Sequence, residues 1–351
     1  MKKVHRSYRP LERERAVAAL RSIRAWVWTA CVALSSCVSI SDKAVEWTYD
    51  RSPWLLKQRI GQYVDLTPTQ EDSLEPVLDR VHAWHRAQEL PSYSRMLERA
   101  ADRVEAGLTE TDVHGFLREA RQHLATTSAR LVSALDPVTR TLTPDQAGQI
   151  SARFAKENER FRRDLLRQDA GAAQRERTER VKDHLERWTG PLNDTQEALI
   201  ADLNRRTAGF PSVRLAERKT LQRAFVDTVS RGSDGPSRSA ALLALLSAPA
   251  TSPDASYRSA LSAYDREFAR TLVQLSSTLT PRQRQTAVER LRRVGRHLGT
   301  LSGRTTAVQE QARPAVSPAG TDAAGPRAAD RRRLRAPDPD RRSAEAAVRV
   351  P

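Results

Sequence analysis

Apolar residues recur every three or four positions along most of this chain, the spacing that gathers them on one stripe of an α-helix. Between Asp72 and Gln88 the stripe is Leu74, Leu78, Val81 and Trp84, with charged residues on the other sides. Residues 110–135 repeat the pattern with Val113, Phe116, Leu117, Ala120, Leu124, Leu131 and Leu135. Residues 144–168 carry Ala147, Ile150, Phe154, Phe161 and Leu165. Two further seams follow: Tyr257, Leu261, Tyr264, Phe268, Leu272, Leu275 and Leu279, and then Val288, Leu291, Val294, Leu298 and Leu301. No stretch alternates convincingly with period two, so strands are not expected. The pattern predicts an all-α protein of about ten amphipathic helices in an elongated or bundle-like arrangement.

A short phrase punctuates these stripes. Leu66-Thr67-Pro68-Thr69-Gln70 recurs as Leu142-Thr143-Pro144-Asp145-Gln146 and as Leu279-Thr280-Pro281-Arg282-Gln283. Looser copies are Leu108-Thr109-Glu110-Thr111-Asp112 and Leu192-Asn193-Asp194-Thr195-Gln196. Each reads as a helix start. Thr67, Thr143 and Thr280 are N-caps, proline at the first helical position has no N–H to leave unpaired, and Gln70, Gln146 and Gln283 close capping boxes. Successive copies lie 42, 34, 50 and 87 residues apart, which excludes a solenoid of fixed period.

Breaks divide the chain. Pro91, Pro137, Pro191 and Pro211 mark helix boundaries, and Gly171 ends a helix before the charged run Arg175–Trp188. The expected organisation is a signal segment over 1–36, a main helical region over 37–230 and a turn-rich linker with a short apolar helix over 231–254. A C-terminal helical hairpin packing on the main region follows over 255–302, and a disordered tail rich in Arg, Pro and Ala over 303–351. The tail has no Phe, Trp, Tyr or Ile, so it cannot bury enough surface to offset the entropy of ordering. Its Arg331-Arg332-Arg333 and Arg341-Arg342 suit a solvated tail or a contact with anionic head groups.

The N-terminal segment changes the picture most. After Arg21 and Arg24 come twelve uncharged residues, Ala25 to Ser36, and then Cys37. A basic flank, a short apolar stretch and small residues before a processing point are the parts of a secretory signal. Leu34-Ser35-Ser36-Cys37 resembles the bacterial lipobox. That resemblance implies cleavage between Ser36 and Cys37 and lipidation of Cys37, whose thiolate is the nucleophile that accepts the lipid. Two or three acyl chains then hold the protein to the membrane, because one binds only marginally. Val38 in place of Asp after that cysteine implies the outer membrane. An uncleaved anchor stays open, since the uncharged window Ala25–Ser41 has 17 residues, the short limit for a membrane span.

Two wider resemblances follow. The lipobox, Trp47-Thr48-Tyr49-Asp50, Tyr63-Val64-Asp65-Leu66-Thr67-Pro68, Ala83-Trp84-His85-Arg86 and Glu89-Leu90-Pro91 together resemble a family of proteobacterial helical lipoproteins of unknown function over roughly residues 34–300. Such a family implies an envelope lipoprotein and brings no activity with it. The phrase Leu-Thr-x-x-Gln, complete at Leu66, Leu142 and Leu279, also resembles the signature of periplasmic stress chaperones of the Spy and CpxP type, which are shorter and carry no lipid anchor.

Charge and chemistry narrow the rest. The net charge of +16 first suggests nucleic acid, but +6 of it lies in residues 1–24 and +4 in residues 313–351, leaving a mildly basic body. Only Cys31 and Cys37 are cysteines, which excludes a disulfide scaffold and thiol catalysis in the body. His82, His85 and Glu89 fall at i, i+3 and i+7, so one helical face could present them, but nothing nearby completes a metal shell. The plainer reading makes them partly exposed polar neighbours of Trp84. Glu157-Asn158-Glu159-Arg160 puts Asn158 on the apolar seam between Phe154 and Phe161, where a buried Asn sets register. No phosphate loop, nucleophile elbow or zinc-protease motif is present.

The expectation is therefore a non-enzymatic lipoprotein of the cell envelope, lipid-anchored at the outer membrane and facing the periplasm, with a binding or structural role. It needs no cofactor and no metal. Its partners are the membrane, through the lipid anchor, and an unidentified envelope protein or unfolded clients, with no nucleic acid. The alternatives are a holdase-type periplasmic chaperone and a single-pass protein held by an uncleaved N-terminal helix.

Overall fold

Thr67, Thr109, Thr143 and Asn193 each accept a hydrogen bond from the backbone N–H three residues on, and at each of them a helix begins. The computed structural model describes residues 42–166, 169–247 and 252–311; the expected signal segment over 1–36, Ser36, Cys37 and the residues from 312 lie outside them. The helices are α1 (Asp42–Asp50), α2 (Ser52–Gly61), α3 (Pro68–Trp84), α4 (Leu90–Ala106), α5 (Glu110–Thr139) and α6 (Pro144–Leu165). They continue as α7 (Ala170–Thr189), α8 (Asp194–Arg206), α9 (Phe210–Ser230), α10 (Gly235–Ser247), α11 (Ala255–Ser277) and α12 (Pro281–Gln311). No strand occurs among the described residues, so the fold is all-α as the periodicity predicts.

Two apolar cores hold the helices. The larger joins Val132 of α5, Ile150 and Phe154 of α6, Leu221, Phe225 and Val229 of α9, and Leu242, Leu245 and Leu246 of α10. It runs on through Leu66, Leu131 and Leu135 into Leu74 and Leu78 of α3. The second zips α4 to α12 with Leu90, Tyr93 and Leu97 against Val294, Leu298 and Leu301. Among the described residues, this pairing is the most extensive between two helices. Gly295 and Gly299 allow it: a Cβ at Gly295 would lie 3.3 Å from the carbonyl oxygen of Ser94, and Ser94 Oγ donates to Gly295 O at 2.7 Å.

Several boundaries differ from the sequence expectation, each for a local reason. Pro91 does not end the helix before it. Residues His85–Glu89 form a π-helical turn between α3 and α4, with Leu90 N–H bonded to His85 O, so the helical path continues across the proline. The wider turn accommodates the N–H that proline lacks. Pro137 lies inside α5, two residues before its end, where it removes only one hydrogen bond. Gly171 opens α7 and ends no helix; the preceding helix stops at Leu165, and Asp169 caps the next one through Ala172 N–H.

The short apolar piece Ala240–Leu246 belongs to α10 and to the larger core, so residues 231–254 do more than link. α11 and α12 do not pair as a hairpin. α11 packs on α5, α8 and α9, and α12 on α4 and α7, because the start of α12 is tied to the start of α8. α12 also runs to Gln311, beyond the expected start of the tail at 303. The early helices α1 and α2 have no counterpart in the stripes read from sequence. Among the described residues, no helix is long and apolar enough to cross a membrane.

Candidate functional site

The capping glutamines are the first surprise of the side-chain geometry. Gln70 Oε1 accepts from Thr67 N–H at 3.0 Å, and Gln146 Oε1 from Thr143 N–H at 3.0 Å, which completes each box. The two amides then bond each other: Gln70 Nε2 donates to Gln146 Oε1 at 3.1 Å, and Gln146 Nε2 donates to Gln70 Oε1 at 2.7 Å. The remaining N–H of each reaches the carbonyl just ahead of the other helix, Thr141 O and Asp65 O. Gln196 and Gln283 repeat the arrangement, with both reciprocal bonds at 3.0 Å and with Thr278 O and Pro191 O as the outer acceptors.

Each amide thus uses both its donors and its acceptor in a buried site, the condition for burying it without loss. Thr280 and Gln283 cap α12 in the same way as the other boxes. Asp112 closes its own box at Thr109 but has no N–H to give, so the start of α5 joins no such pair. Thr67 and Gln70 are thus clamped to Thr143 and Gln146, and Thr280 and Gln283 to Asn193 and Gln196, so four helix starts are joined two by two.

A second cluster surrounds the π-helical turn. His85 Nδ1 lies 2.9 Å from Tyr49 Oη, and its ring meets Tyr93 edge-on at 5.6 Å; Tyr93 meets His123 in the same way at 5.1 Å. Glu89 is buried and lies 2.8 Å from His123 Nδ1. Burial, with His82 and His123 nearby, pushes His85 from the ordinary imidazole value down to about 4. Burial and Arg86 lower His82 as well, and burial raises the Tyr49 hydroxyl against the pull of Arg86.

His82, His85 and Glu89 do not converge on a common point as the i, i+3, i+7 spacing allows, because the π turn rotates Glu89 toward α5. Among the described residues, no group of three metal-binding side chains occurs. What the cluster does is tie α1, the π turn, α4 and α5 through hydrogen bonds and ring contacts. Its other members, Tyr49, Tyr93 and His123, carry no local signal in the sequence.

A third cluster is buried between α2, α6 and α9. Glu157 accepts from Arg59 Nη2 at 2.8 Å, from Tyr63 Oη at 2.6 Å and from Arg218 Nη2 at 2.8 Å. Asn158 Oδ1 accepts from Arg218 Nε at 2.8 Å, and Asn158 Nδ2 donates to Gln222 at 2.7 Å. Asn158 is buried on the seam and hydrogen-bonded across helices, which is the register-setting arrangement. Glu159 and Arg160 are instead solvent-facing and pair along α6 with Arg162 and Asp164. The cluster is almost closed to solvent, and Glu157 is the one carboxylate shared by the Arg59 and Arg218 guanidiniums, so its bonds run between α2, α6 and α9 and hold those helices together.

Concave surface is shallow and charged. One cleft of about 510 Å³ opens beside α2 and α3, lined by Arg51, Trp54, Lys57, Asp65, Glu71 and Glu75 among others. Another lies between α4 and α5 around Arg99, Arg103, Asp112 and Phe116. Asn193 caps α8, so the dipeptide Asn193-Asp194 belongs to a helix start.

The model of DUF6279, a family of unknown function, matches residues 62–258, more than half of the chain. No curated protein and no solved structure matches it.

Proposed function

The chain belongs to this family of unknown function, and from that premise we propose that it is a lipoprotein of the cell envelope, anchored by Cys37 at the outer membrane and facing the periplasm, with a binding or structural role. The observation that carries this reading is the order Arg21 and Arg24, the uncharged stretch Ala25–Ser36, and Leu34-Ser35-Ser36-Cys37. The use of every conspicuous polar cluster to join helices supports a scaffolding or binding part over a catalytic one.

The test is metabolic labelling with radioactive palmitate. Label on the wild-type chain and on a Cys31→Ala variant, but none on Cys37→Ala, is the expected result; label that survives Cys37→Ala refutes the anchor. Membrane fractionation checks the location, and Val38→Asp is expected to move the protein toward the inner membrane.

The repeated Leu-Thr-x-x-Gln phrases favour a second reading, a holdase-type chaperone for unfolded envelope proteins. Phe116, Leu117 and Leu124 in the first half of α5 are only half-buried and offer apolar surface for it. This reading expects the purified chain to suppress aggregation of a reduced, unfolding client at near-stoichiometric ratio. No suppression removes it.

A further inference from the structure

Trp47 of α1 and Trp54 of α2 are the large apolar side chains the described residues leave exposed, each with 57% of its surface open. Burial of such rings is the rule, so two of them uncovered on consecutive helices call for a partner surface. Their neighbours on the same helices are turned inward: Tyr49 packs against the α4–α12 core, and Leu56 and Ile60 against the core around α3.

The two indoles share one side. They stand three or four positions to either side of Arg51, where α1 passes into α2 through a one-residue turn, with Arg51 N–H bonded to Trp47 O and Leu55 N–H to Arg51 O. Arg51 lies between them, its guanidinium 4.2 Å from the Trp47 ring centre, and it lines the same cleft as Trp54.

Chain length decides what can reach this side. Asp42, where α1 starts, lies five positions after Cys37, and five steps of chain span at most ~18 Å. Acyl chains on Cys37 therefore keep the start of α1 within that distance of the bilayer surface, and Trp47 within about 8 Å more along the helix. Tryptophan is the side chain suited to that boundary, with an apolar ring and one N–H donor, and an Arg beside it can keep its charge among the head groups. The acidic residues along the adjoining cleft, Asp50, Asp65, Glu71, Glu75 and Asp79, outnumber Arg51 and Lys57, so the contact suits neutral rather than anionic lipid.

We propose that the face formed by Trp47, Arg51 and Trp54 rests on the neutral lipid interface beside the anchor, as a second membrane contact that sets how the helical body stands on the membrane. This rests on the anchoring at Cys37 proposed above.

The experiment uses the full-length protein purified with its processed N-terminus and reconstituted in vesicles of phosphatidylcholine and phosphatidylethanolamine. Bromine on the acyl chains, near the head group, quenches only indoles at that depth. Quenching is expected in the wild type and is expected to vanish in a Trp47→Phe/Trp54→Phe variant whose circular dichroism and melting are unchanged. Equal quenching in both proteins overturns the contact. So does a photo-reactive residue at position 54 that cross-links in cells to another protein, or to a second copy of the chain, instead of to lipid.

The mass of the N-terminal peptide separates the two failures. An acylated Cys37 with unquenched Trp47 and Trp54 removes the contact and leaves the anchor. A peptide without acyl chains removes the anchor, and the contact with it.

Discussion

Gln70 and Gln146 show how much one side chain can be asked to do. A capping box needs only the bond from Gln Oε1 to the cap N–H, and an Asp or Glu would supply it. The amide is required by the partner helix, which takes both N–H groups. Gln146→Ala is expected to lower stability by ~1–3 kcal/mol, the cost of leaving buried amide and carbonyl groups unpaired. Gln285→Ala, on the exposed side of α12, is expected to be near neutral. A double-mutant cycle on Gln70 and Gln146 in urea denaturation is expected to give a coupling of ~1 kcal/mol, whereas independent caps would give none.

Glu157 is the corresponding case among charges. Glu157→Gln leaves Arg59 and Arg218 buried without a counter-charge, and a loss of ~3–5 kcal/mol is expected from equilibrium unfolding. His85 adds a pH dependence. Its folded value, pushed down to about 4, lies below the unfolded value, so the unfolded chain binds more protons between those limits. Stability is therefore expected to fall as pH drops below about 6.5, by up to ~1.4 kcal/mol per unit pH for such a group, with His82 adding in the same direction. Urea midpoints between pH 7.5 and 5 measure the slope, and His85→Gln is expected to flatten it.

At the scale of helices, the stripes of apolar residues were legible and the boundaries less so. The amphipathic period makes α3, α5, α6, α11 and α12 visible as seams, whereas α4, α8 and α9 bury one side without a counterpart among the stripes read from sequence. Pro91 misled because a π turn can accommodate a proline, and such a turn leaves no mark in the apolar spacing. Gly171 misled because glycine also occurs in a first turn. The α4–α12 contact turns on Gly295, where a side chain would press on the Ser94 carbonyl oxygen at 3.3 Å. Gly295→Leu is expected to cost ~1–3 kcal/mol by overpacking and to lower the melting temperature. Gly148, exposed on α6 with nothing near its missing Cβ, is expected to behave oppositely, Gly148→Ala gaining ~0.5–1 kcal/mol from helix propensity alone.

At the scale of the molecule, the region shared with the family and the folded unit do not coincide. The family match ends at residue 258, before α12 begins at Pro281, yet α12 covers Leu90, Tyr93 and Leu97 of α4. A chain ending at residue 258 is expected to expose that face, to bind the dye ANS and to lose cooperative melting, while the chain through Gln311 does neither. Charge takes its meaning at this scale too. Under the proposed processing +6 of the +16 leaves with the residues before Cys37, so the number that first suggested nucleic acid largely describes a signal flank and a terminus.

The sequence by itself determined the helical class, because a period of three to four apolar residues has one low-energy backbone, and it determined where helices start, because Thr, Asn, Pro and Gln act within one turn. It also carries Leu34-Ser35-Ser36-Cys37, the linear string on which the proposed anchor rests. Tertiary structure alone decided which starts pair, which helix covers which, and that His85, Tyr93 and His123 share a cluster. Those partners lie tens to hundreds of positions apart, as Ser94 and Gly295 do at a separation of 201, and nothing in a local pattern records a contact closed at that distance along the chain. The uncovered side of Trp47 and Trp54 belongs with these, since exposure is what remains after every other contact has been made.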